Sequence, residues 1–321
     1  MNNNFSIAPM MNCTDRHCRY FMRLLSPSAL LYTEMVTAAA IQHSDSQHFL
    51  SYNNEEHPLA LQLGGSNPKW MANAASKAHK LEFDEININV GCPSDRVQSG
   101  HFGACLMASP NTVSECYKAM SNVTDIPITI KTRIGLDDND SYEFLFKFVE
   151  SLAFAGCKKF IIHARIAVLN GLSPKENRTV PPLNYNRVFR LKQEFPDLEI
   201  ILNGGISNIT DVELALSKLD GVMIGRQAYY QPYFLAELEK YFNLNYCLPA
   251  RRDIVNKMTT YIDKELNEGV SLNNITRHML GLYAGQNGAK IWRRTISEKS
   301  HHESAGSEIL TEALNAISIA A

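Results

Sequence analysis

The feature that most constrains the fold of this chain is a strand-like apolar run that recurs eight times, each followed by a break and a helix-like stretch. Alternation of such runs with helices is typical of a parallel sheet. Eight units in about 240 residues predict an α/β fold, the (β/α)8 TIM barrel, in preference to an open doubly wound sheet. The runs are FSIAPM (5–10), LLYTEMV (30–36), LALQLGG (59–65), EININVGC (85–92), ITIKTRIG (128–135), KFIIHAR (159–165), EIILNGG (199–205) and GVMIGRQA (221–228).

Helix-like stretches separate the runs, and Pro68 and Ser109 stand where two of these helices should begin. After Phe242 the strand-like runs stop, and four further helix-like stretches follow. We therefore predict two domains, a barrel over residues 1–242 and a C-terminal all-α helical bundle over residues 250–321. The predicted helices cover residues 67–81, 110–123, 140–155, 184–195 and 210–219 in the barrel, and 252–268, 273–284, 288–299 and 307–319 in the bundle.

Composition limits the classes of function. No apolar run approaches the roughly 18 residues that cross a membrane, and the first residues, MNNNFSIAPM, lack the pattern of a secretory signal. The seven cysteines are scattered without a CxxC pair, which predicts reduced thiols in a cytoplasmic protein and argues against a zinc site. Because the formal net charge is -2, any nucleic-acid binding must depend on local basic patches.

Polar side chains stand at the C-terminal ends of the runs, where (β/α)8 barrels carry their active sites. Polar residues inside apolar strands are costly to bury unless they are paired, so their presence on nearly every run predicts a large polar ligand over the barrel mouth. These residues are Glu34, Gln62, Asn89, Cys92, Lys131, Arg133, His163, Arg165, Asn203 and Arg226, with Pro9, Met10 and Met11 after the first run.

Two glycine-containing turns, after the seventh and eighth runs, predict a phosphate site. Gly204-Gly205 lets backbone amides approach an anion, and Gly225-Arg226 adds a guanidinium group suited to phosphate. Each turn alone is better explained as a tight connection, but the pair lies where such barrels commonly hold phosphate.

Lys131 and Arg133 share the inner face of the fifth run, where a cation could stabilise an anionic ligand such as a reduced flavin. A strand lysine could instead extend to solvent. His163 taken alone is more often a core residue, and it gains weight only from its neighbours.

A set of longer motifs carries a family resemblance, and the most specific of them is NINVGCPSDRVQSGHFGACLM (87–107). On these motifs the chain resembles the tRNA-dihydrouridine synthases, and within them the A-type enzymes, over almost its whole length. The other matching segments are APMMNCTDRHCRYFMRLLSPSALLYTEM, LALQLGG, IKTRIGLDD, HARIAVLNGLSPKENR, LNGGI, GVMIGRQAYYQPY and TRHMLGLYAGQNGAKIWRR.

The resemblance implies an FMN- and NAD(P)H-dependent oxidoreductase that reduces uridines 20 and 20a of the tRNA D-loop to 5,6-dihydrouridine. NADPH would reduce FMN, hydride would pass from FMN to C6 of the uracil, and Cys92 would donate a proton to C5. A thiol has a reference pKa of about 8.5 and is mostly protonated at neutral pH, which suits an acid; the alternative for Cys92 is a small buried apolar side chain. The residues implied to bind FMN are Pro9, Met10, Met11, Gln62, Lys131, His163, Asn203, Gly204, Gly205, Gly225 and Arg226.

Contacts with tRNA are expected from two basic segments and from Asn89, which could read the uracil edge. Segment 277–299 carries five basic residues against Glu298, and loop 173–183 carries two. A charge run usually marks only a solvated face, but two runs beside one opening favour phosphate binding. Trp292 could add a stacking surface, although a bundle tryptophan is more often core. The residues implied to contact tRNA are Asn89, Lys175, Arg178, Lys290 and Arg293.

Two other functions remain open from the residues alone. A barrel flavoenzyme that acts on a free pyrimidine or dihydropyrimidine would share the FMN site and Cys92 but would not need a basic bundle. A non-catalytic tRNA-binding protein would keep the basic segments but would have no use for Cys92, Lys131 and the phosphate turns together. We expect a monomer that binds tRNA, with no metal and no membrane; the choice between NADPH and NADH and the pose of the target base stay open.

Overall fold

The strands of the computed structural model form one parallel sheet. The structure describes residues 5–44, 47–302 and 304–320, so residues 1–4, 45, 46, 303 and 321 of the two predicted domains lie outside the described residues. The strands in the described chain are β1 (Phe5–Ile7), β2 (Leu31–Tyr32), β3 (Val36–Thr37), β4 (Leu59–Gly64), β5 (Glu85–Val90), β6 (Ile128–Arg133), β7 (Lys159–His163), β8 (Glu199–Asn203) and β9 (Gly221–Ile224).

The sheet closes into a barrel. Neighbouring strands pair in the order β1, β9, β8, β7, β6, β5, β4 and β2, and a parallel bridge from Ser6 to Leu30 joins β1 to the residue before β2. β3 also pairs with β4, so β2 and β3 share the second of eight strand positions in the described chain. The predicted (β/α)8 barrel is confirmed, whereas the single strand predicted over 30–36 is broken after Tyr32.

Helices follow the strands around the barrel and continue beyond it. Three short 3-10 helices, Asn54–Glu56, Gly103–Ala108 and Glu176–Arg178, also lie in the described chain. The α-helices are α1 (Arg16–Leu25), α2 (Ala38–His43), α3 (Gln47–Leu50), α4 (Pro68–Lys80), α5 (Asp95–Ser99), α6 (Pro110–Ser121), α7 (Tyr142–Phe154), α8 (Tyr185–Glu194), α9 (Ile209–Leu216), α10 (Arg226–Tyr230), α11 (Phe234–Phe242), α12 (Arg251–Asn267), α13 (Leu272–Thr276), α14 (Ala289–Lys299) and α15 (Glu308–Ala320).

Side-chain caps explain where the barrel helices begin. Asn67 Oδ1 accepts the backbone N–H groups of Lys69 and Trp70 at 3.0 and 3.2 Å, and Pro68 occupies the first turn of α4, as predicted. Ser141 and Asn184 cap α7 and α8 in the same way. Ser109 precedes α6 as expected, but its side chain makes no capping hydrogen bond.

The barrel interior contains both a group of polar side chains and an apolar cluster. Inward-facing side chains of β4, β5 and β6 include Gln62, Asn87 and Thr129, each at most 1% exposed. Burial of so many polar groups is tolerated only when they are hydrogen-bonded to one another. The apolar cluster consists of Ala8, Leu30, Tyr32, Ala60, Ile161, Ile201 and Met223.

Contacts between residues divide the chain into two compact units, Met1–Met11 with Leu30–Gly225, and Asn12–Ala29 with Arg226–Ala321. The division differs from the predicted boundary between residues 242 and 250. The second unit contains α1, which the sequence analysis did not predict. Within this unit Ser26 Oγ donates to Glu239 Oε2 at 2.5 Å, and Arg16 Nη1 donates to Glu265 Oε1 at 3.0 Å.

The helical unit departs from prediction in one segment. The helix expected over 273–284 ends at Thr276, and turns continue to the start of α14. A Cβ at Gly281 would lie 2.4 Å from the Tyr230 carbonyl oxygen, and Gly285 has a φ of +75°, so this segment follows a tight path that requires glycine. No helix in the described ranges is long and apolar enough to cross a membrane.

Candidate active site

The predicted site residues of the barrel lie at the C-terminal ends of its strands. Asn89 of β5 is in register with Lys131 of β6, and His163 of β7 is in register with Arg133 and Asn203 on the strands to either side. Parallel pairing therefore brings side chains that are far apart in the sequence to one end of the barrel. Polar side chains at this end are the arrangement of a (β/α)8-barrel enzyme.

The loop that carries Cys92 is fixed by hydrogen bonds on both sides. Asn89 Oδ1 accepts the backbone N–H groups of Gly91 and Cys92 at 3.1 and 3.0 Å. Arg133 Nε donates to the Gly91 carbonyl at 2.9 Å, and the Cys92 carbonyl accepts the Ala104 N–H at 2.9 Å. Cys92 is half-buried, and its Sγ lies 3.5 Å from Ser94 Oγ. These bonds fix the backbone at Cys92, and the role of its thiol as a proton donor stays a prediction.

Gly103 explains why the FGACLM part of the motif must accompany GCPS. Its φ is +72°, and a Cβ at this position would lie 2.6 Å from the Cys92 carbonyl oxygen and 2.3 Å from Val97 Cγ1. Any other residue would push the 3-10 helix Gly103–Ala108 away from the Cys92 loop. The motif is therefore one folded unit that closes on Cys92.

Gln62 and Asn89 belong to a buried network. Asn89 Nδ2 donates to Gln62 Oε1 at 2.9 Å, and Gln62 Nε2 donates to Asn87 Oδ1 at 2.8 Å. Asn89 is 8% exposed, and its Oδ1 is used by the backbone N–H groups of the Cys92 loop. Each amide nitrogen carries a second hydrogen, which leaves one N–H on each residue for a ligand. The predicted contacts of Gln62 with FMN and of Asn89 with uracil stay predictions.

Lys131 is a half-buried cation beside the Cys92 loop. Burial and, to a smaller extent, the nearby Arg133 guanidinium lower the pKa of Lys131 to about 7, although Cys92 acts in the opposite direction. In the described ranges no acidic side chain forms an ion pair with Lys131. An ammonium group in this position suits a bound anion.

Arg133 is 4% exposed, and burial lowers its pKa to about 10. Its guanidinium donates to three backbone carbonyls, including those of Ile166 at 2.8 Å and Asn177 at 2.9 Å. Arg133 therefore holds loops together, which the sequence analysis did not predict.

The glycines predicted to hold phosphate differ in their backbone conformation and in the contacts that a Cβ would make. Gly204 and Gly205 have φ values of +103° and +77°. A Cβ at Gly204 would lie 2.8 Å from the His163 ring, and one at Gly205 would lie 2.6 Å from Tyr185 Oη. At Gly225, by contrast, the nearest described atom to a Cβ would be Ala8 Cβ at 3.8 Å. Neither a close contact nor a positive φ requires glycine at this position, and its contact with phosphate stays a prediction.

The remaining predicted cofactor residues have mixed surroundings. Asn203 is buried, and its Nδ2 donates to the Met223 carbonyl at 2.8 Å. Pro9 and Met10 are half-buried after β1, whereas Met11 is 53% exposed. Arg226 begins α10 in the second unit. Their contacts with FMN stay predictions.

The basic loop of the barrel is anchored between its two predicted tRNA contacts. Lys175 and Arg178 are exposed, and Asn177 between them is fully buried. Asn177 Oδ1 accepts the Val168 N–H and Nδ2 donates to the Val168 carbonyl, both at 2.8 Å. The buried asparagine therefore presents the two cations on a fixed turn, a role that its polar sequence context did not reveal.

Ion pairs separate the basic residues of segment 277–299 into two groups. Arg277 Nη2 lies 2.5 Å from Asp15 Oδ2, Arg294 pairs with Glu298, and Lys299 pairs with Glu312. Lys290 and Arg293 are exposed and form no ion pair with any described acid. Their contact with tRNA stays a prediction.

The stacking surface suggested for Trp292 is wrong. Trp292 is fully buried, and its Nε1 donates to the Met279 carbonyl at 3.0 Å. Its ring packs against Tyr283, with ring centroids 4.9 Å apart. The tryptophan is a core residue of the helical unit and cannot stack on a nucleobase.

Sequence comparisons agree with a barrel enzyme and name its family. The profile described as Dihydrouridine synthase (Dus) matches residues 6–318. The chain therefore belongs to the dihydrouridine synthase family, and the resemblance drawn from the motifs is confirmed.

Individual relatives narrow the comparison. The chain is 55% identical over 311 residues to the tRNA-dihydrouridine(20/20a) synthase of Vibrio cholerae, which covers 96% of this chain and 95% of that protein. It is 52% identical over 315 residues to the protein of the same name in Escherichia coli K12, with 98% and 91% covered. An old yellow enzyme homologue from Zymomonas mobilis has a TM-score of 0.54 at 10% identity, covering 78% of this chain and 90% of that one, and shares its barrel fold.

Proposed function

We propose that the protein is a flavin-dependent tRNA-dihydrouridine synthase that reduces uridines 20 and 20a of tRNA to 5,6-dihydrouridine. Its family implies a flavin, while FMN, NADPH and the two tRNA positions are the finer parts of the proposal. The positions are those in the names of the relatives. The observation that carries the proposal is the Cys92 loop, locked by Asn89 and Arg133 at the end of β5 and next to Lys131.

Two features of the barrel mouth fit an FMN site. Lys131 offers a positive charge that no described acid neutralises, and a Cβ at Gly225 would approach no described atom more closely than Ala8 Cβ, at 3.8 Å. We assign the isoalloxazine edge to Gln62 and Lys131, and the phosphate to Gly204, Gly205 and Gly225. When bound, the reduced cofactor supplies the hydride that C6 of the uracil accepts.

The protein's own residues supply the second half of the reduction. As C6 gains a hydride, negative charge develops at C5 of the uracil, and the Cys92 thiol donates its proton to that carbon. Asn89 fixes the loop through the backbone N–H groups of Gly91 and Cys92, and its remaining N–H can hydrogen-bond the uracil edge. Positioning of the thiol is therefore the main task of the surrounding hydrogen bonds.

We propose that basic residues on each unit bind the tRNA backbone. Lys175 and Arg178 act on the barrel, and Lys290 and Arg293 act on the helical bundle. In terms of the two domains predicted from the sequence, residues 1–242 bind FMN and catalyse the reduction, and residues 250–321 bind tRNA. A monomer in the cytoplasm is part of the same proposal.

The test of this function is to map dihydrouridine in a tRNA transcript after incubation with the purified protein, FMN and NADPH. Dihydrouridine is expected at positions 20 and 20a, and a transcript with cytidine at both positions should stay unmodified. Reduction of free uracil without change to tRNA would indicate an enzyme of free pyrimidines. A colourless protein that binds tRNA but not FMN would indicate a non-catalytic binding protein.

Lys131 yields a prediction with a defined pH dependence. Burial lowers its pKa to about 7, whereas an unfolded lysine titrates near a pH of roughly 10.4. Between these values the unfolded state holds more protons, so the FMN-free protein gains stability as the pH rises through this window. Lys131→Met removes the buried charge and should raise the Tm of the FMN-free protein at pH 6–7, with a gain that shrinks towards pH 10. The same variant should bind FMN about 10- to 100-fold more weakly, the scale of a charged hydrogen bond.

Thermal melts from pH 6 to 10 and FMN titrations measure both effects. Lys159 is the matched control, because Glu85 and Glu199 pair with it at 3.3 and 3.2 Å and raise its pKa against the effect of burial. Lys159→Met should therefore lower the Tm. A Lys131→Met protein with wild-type melting temperatures and FMN affinity would remove Lys131 from the site.

A further inference from the structure

A continuous chain of side-chain hydrogen bonds runs through the barrel interior between β4, β5 and β6. We call it the polar chain and define it as Glu85, Thr129, Asn87, Gln62 and Asn89. Glu85 lies at the start of β5 and Asn89 near its end, so the polar chain spans about 13 Å along this strand. The bonds run from Asn89 Nδ2 to Gln62 Oε1 (2.9 Å), Gln62 Nε2 to Asn87 Oδ1 (2.8 Å), Asn87 Nδ2 to Thr129 Oγ1 (2.8 Å) and Thr129 Oγ1 to Glu85 Oε1 (2.8 Å).

The direction of every bond follows from the carboxylate at one end. An ionised carboxylate only accepts, and Lys159 Nζ lies 3.3 Å from Glu85 Oε2. Burial, followed by the Glu85 charge, raises the pKa of Tyr32 well above its ordinary value, so the Tyr32 hydroxyl also donates to Glu85. The Thr129 hydroxyl must then give its proton to Glu85 and accept from Asn87.

The two amides above Thr129 inherit this direction. Because Asn87 donates through Nδ2, its Oδ1 faces Gln62, and Gln62 in turn presents its Oε1 to Asn89. Asn89 is therefore held with its Oδ1 towards the N–H groups of Gly91 and Cys92. A flipped amide at any step would place two donors or two acceptors face to face.

The presence of the polar chain requires an explanation, because apolar residues could fill the same space with a smaller desolvation penalty. Strands β7 and β8 fill the interior with Ile161 and Ile201, and replacing buried polar groups by apolar groups of similar shape is often neutral or stabilising. The five polar side chains end on the backbone N–H groups of the Cys92 loop. Orientation of this loop therefore explains why they are polar.

We propose that Thr129 and Asn87, which lie below the barrel mouth, are positioning residues for the Cys92 loop. Glu85 sets the direction of the polar chain, and Thr129, Asn87 and Gln62 pass it to Asn89, which holds the loop in place. The catalytic consequence depends on the proposed function, whereas the orientation of the loop does not.

The matched test uses two threonines of β6. Thr129→Val removes the hydroxyl that joins Glu85 to Asn87 with almost no change of shape. Thr132→Val is the control, because Thr132 is equally buried on the same strand but its hydroxyl donates to the Val90 carbonyl at 3.2 Å, outside the polar chain. Thr129→Ser keeps the hydroxyl and should restore the wild-type behaviour. If Thr129→Val gives no folded protein, Glu85→Gln replaces it, because the amide can donate to Thr129 and so reverse the chain.

The first measurement is amide hydrogen exchange of Gly91 and Cys92 by NMR in the FMN-free protein. Exchange of these two amides should become at least tenfold faster in Thr129→Val, relative to neighbouring amides, and should stay unchanged in Thr132→Val and Thr129→Ser. The second is reoxidation of the reduced flavin by tRNA, which should slow by about 10²-fold in Thr129→Val only, the effect of a small misplacement of a reacting group.

Equal exchange at Gly91 and Cys92 in the two valine variants would overturn the proposal, whatever the activity. Faster exchange without slower reoxidation would also overturn it, because the loop would then move without consequence for catalysis. If the wild-type protein does not reduce tRNA at all, the proposed function fails, and the exchange measurement alone still decides whether the polar chain orients the loop.

Discussion

Replacement of Cys92 by alanine should slow reoxidation of the reduced flavin by tRNA by about 10²–10⁴-fold, the usual contribution of a positioned acid. FMN binding and reduction of the flavin by NADPH should stay close to wild type, because neither step requires a proton at the uracil. The hydrogen bonds that shape the loop use the backbone N–H and carbonyl of Cys92, and alanine keeps both. Stopped-flow absorbance of the flavin, with NADPH first and tRNA second, measures the two steps separately.

Two variants make this measurement decisive. Cys92→Ser should be nearly as impaired as Cys92→Ala, because an alcohol is a far weaker acid than a thiol. Cys105→Ala is the matched control, since Cys105 lies in the same motif and is also half-buried, but its Sγ donates to the Phe102 carbonyl at 3.1 Å. That variant should lose some stability and reoxidise normally. A near-normal reoxidation rate in Cys92→Ala would show that another group donates the proton, and His163 would be the next candidate.

The barrel was predictable because its evidence is local. Each strand and helix follows from apolar spacing and capping residues within a few positions, as at Asn67 and Pro68 before α4. The break in the second strand was not predictable, because it depends on a distant partner. Thr33 Oγ1 accepts the backbone N–H of Gln62 at 3.1 Å, so a side chain replaces a strand carbonyl at this point.

The sequence predicted which residue types line the candidate site but not which residues they hydrogen-bond. Period two on β5 and β6 places Asn87, Asn89 and Lys131 on the inner face, and this alternation is visible in the sequence. Arg133 donates to the carbonyl of Gly91, 42 residues earlier in the chain, and to that of Asn177, 44 residues later. A single sequence carries no signal of such an interaction. Arg133, which was expected to face a ligand, instead supports the Cys92 loop.

The second large effect is expected on the helical unit. Reversal of Lys290 and Arg293 to glutamate should weaken tRNA binding by about 10²-fold at low salt and reduce the slope of log affinity against log salt by roughly two, about one for each phosphate that the protein no longer neutralises. These two cations are exposed and form no ion pair with a described acid, so their reversal disturbs no internal ion pair that the structure shows. NADPH oxidation by the FMN-loaded protein should be almost unchanged.

The control must change the charge by the same amount without touching the proposed surface. Lys257 and Lys264 serve this purpose, because both are exposed on α12 of the same unit. Their reversal to glutamate should leave the salt slope close to wild type, with a modest loss of affinity from the altered net charge. The measurement is tRNA affinity by fluorescence anisotropy between 50 and 200 mM salt. If both double variants lose affinity equally, the effect belongs to net charge, and Lys290 and Arg293 do not bind phosphate. If neither loses affinity, the helical unit has a structural role, and the barrel loop with Lys175 and Arg178 must hold the tRNA.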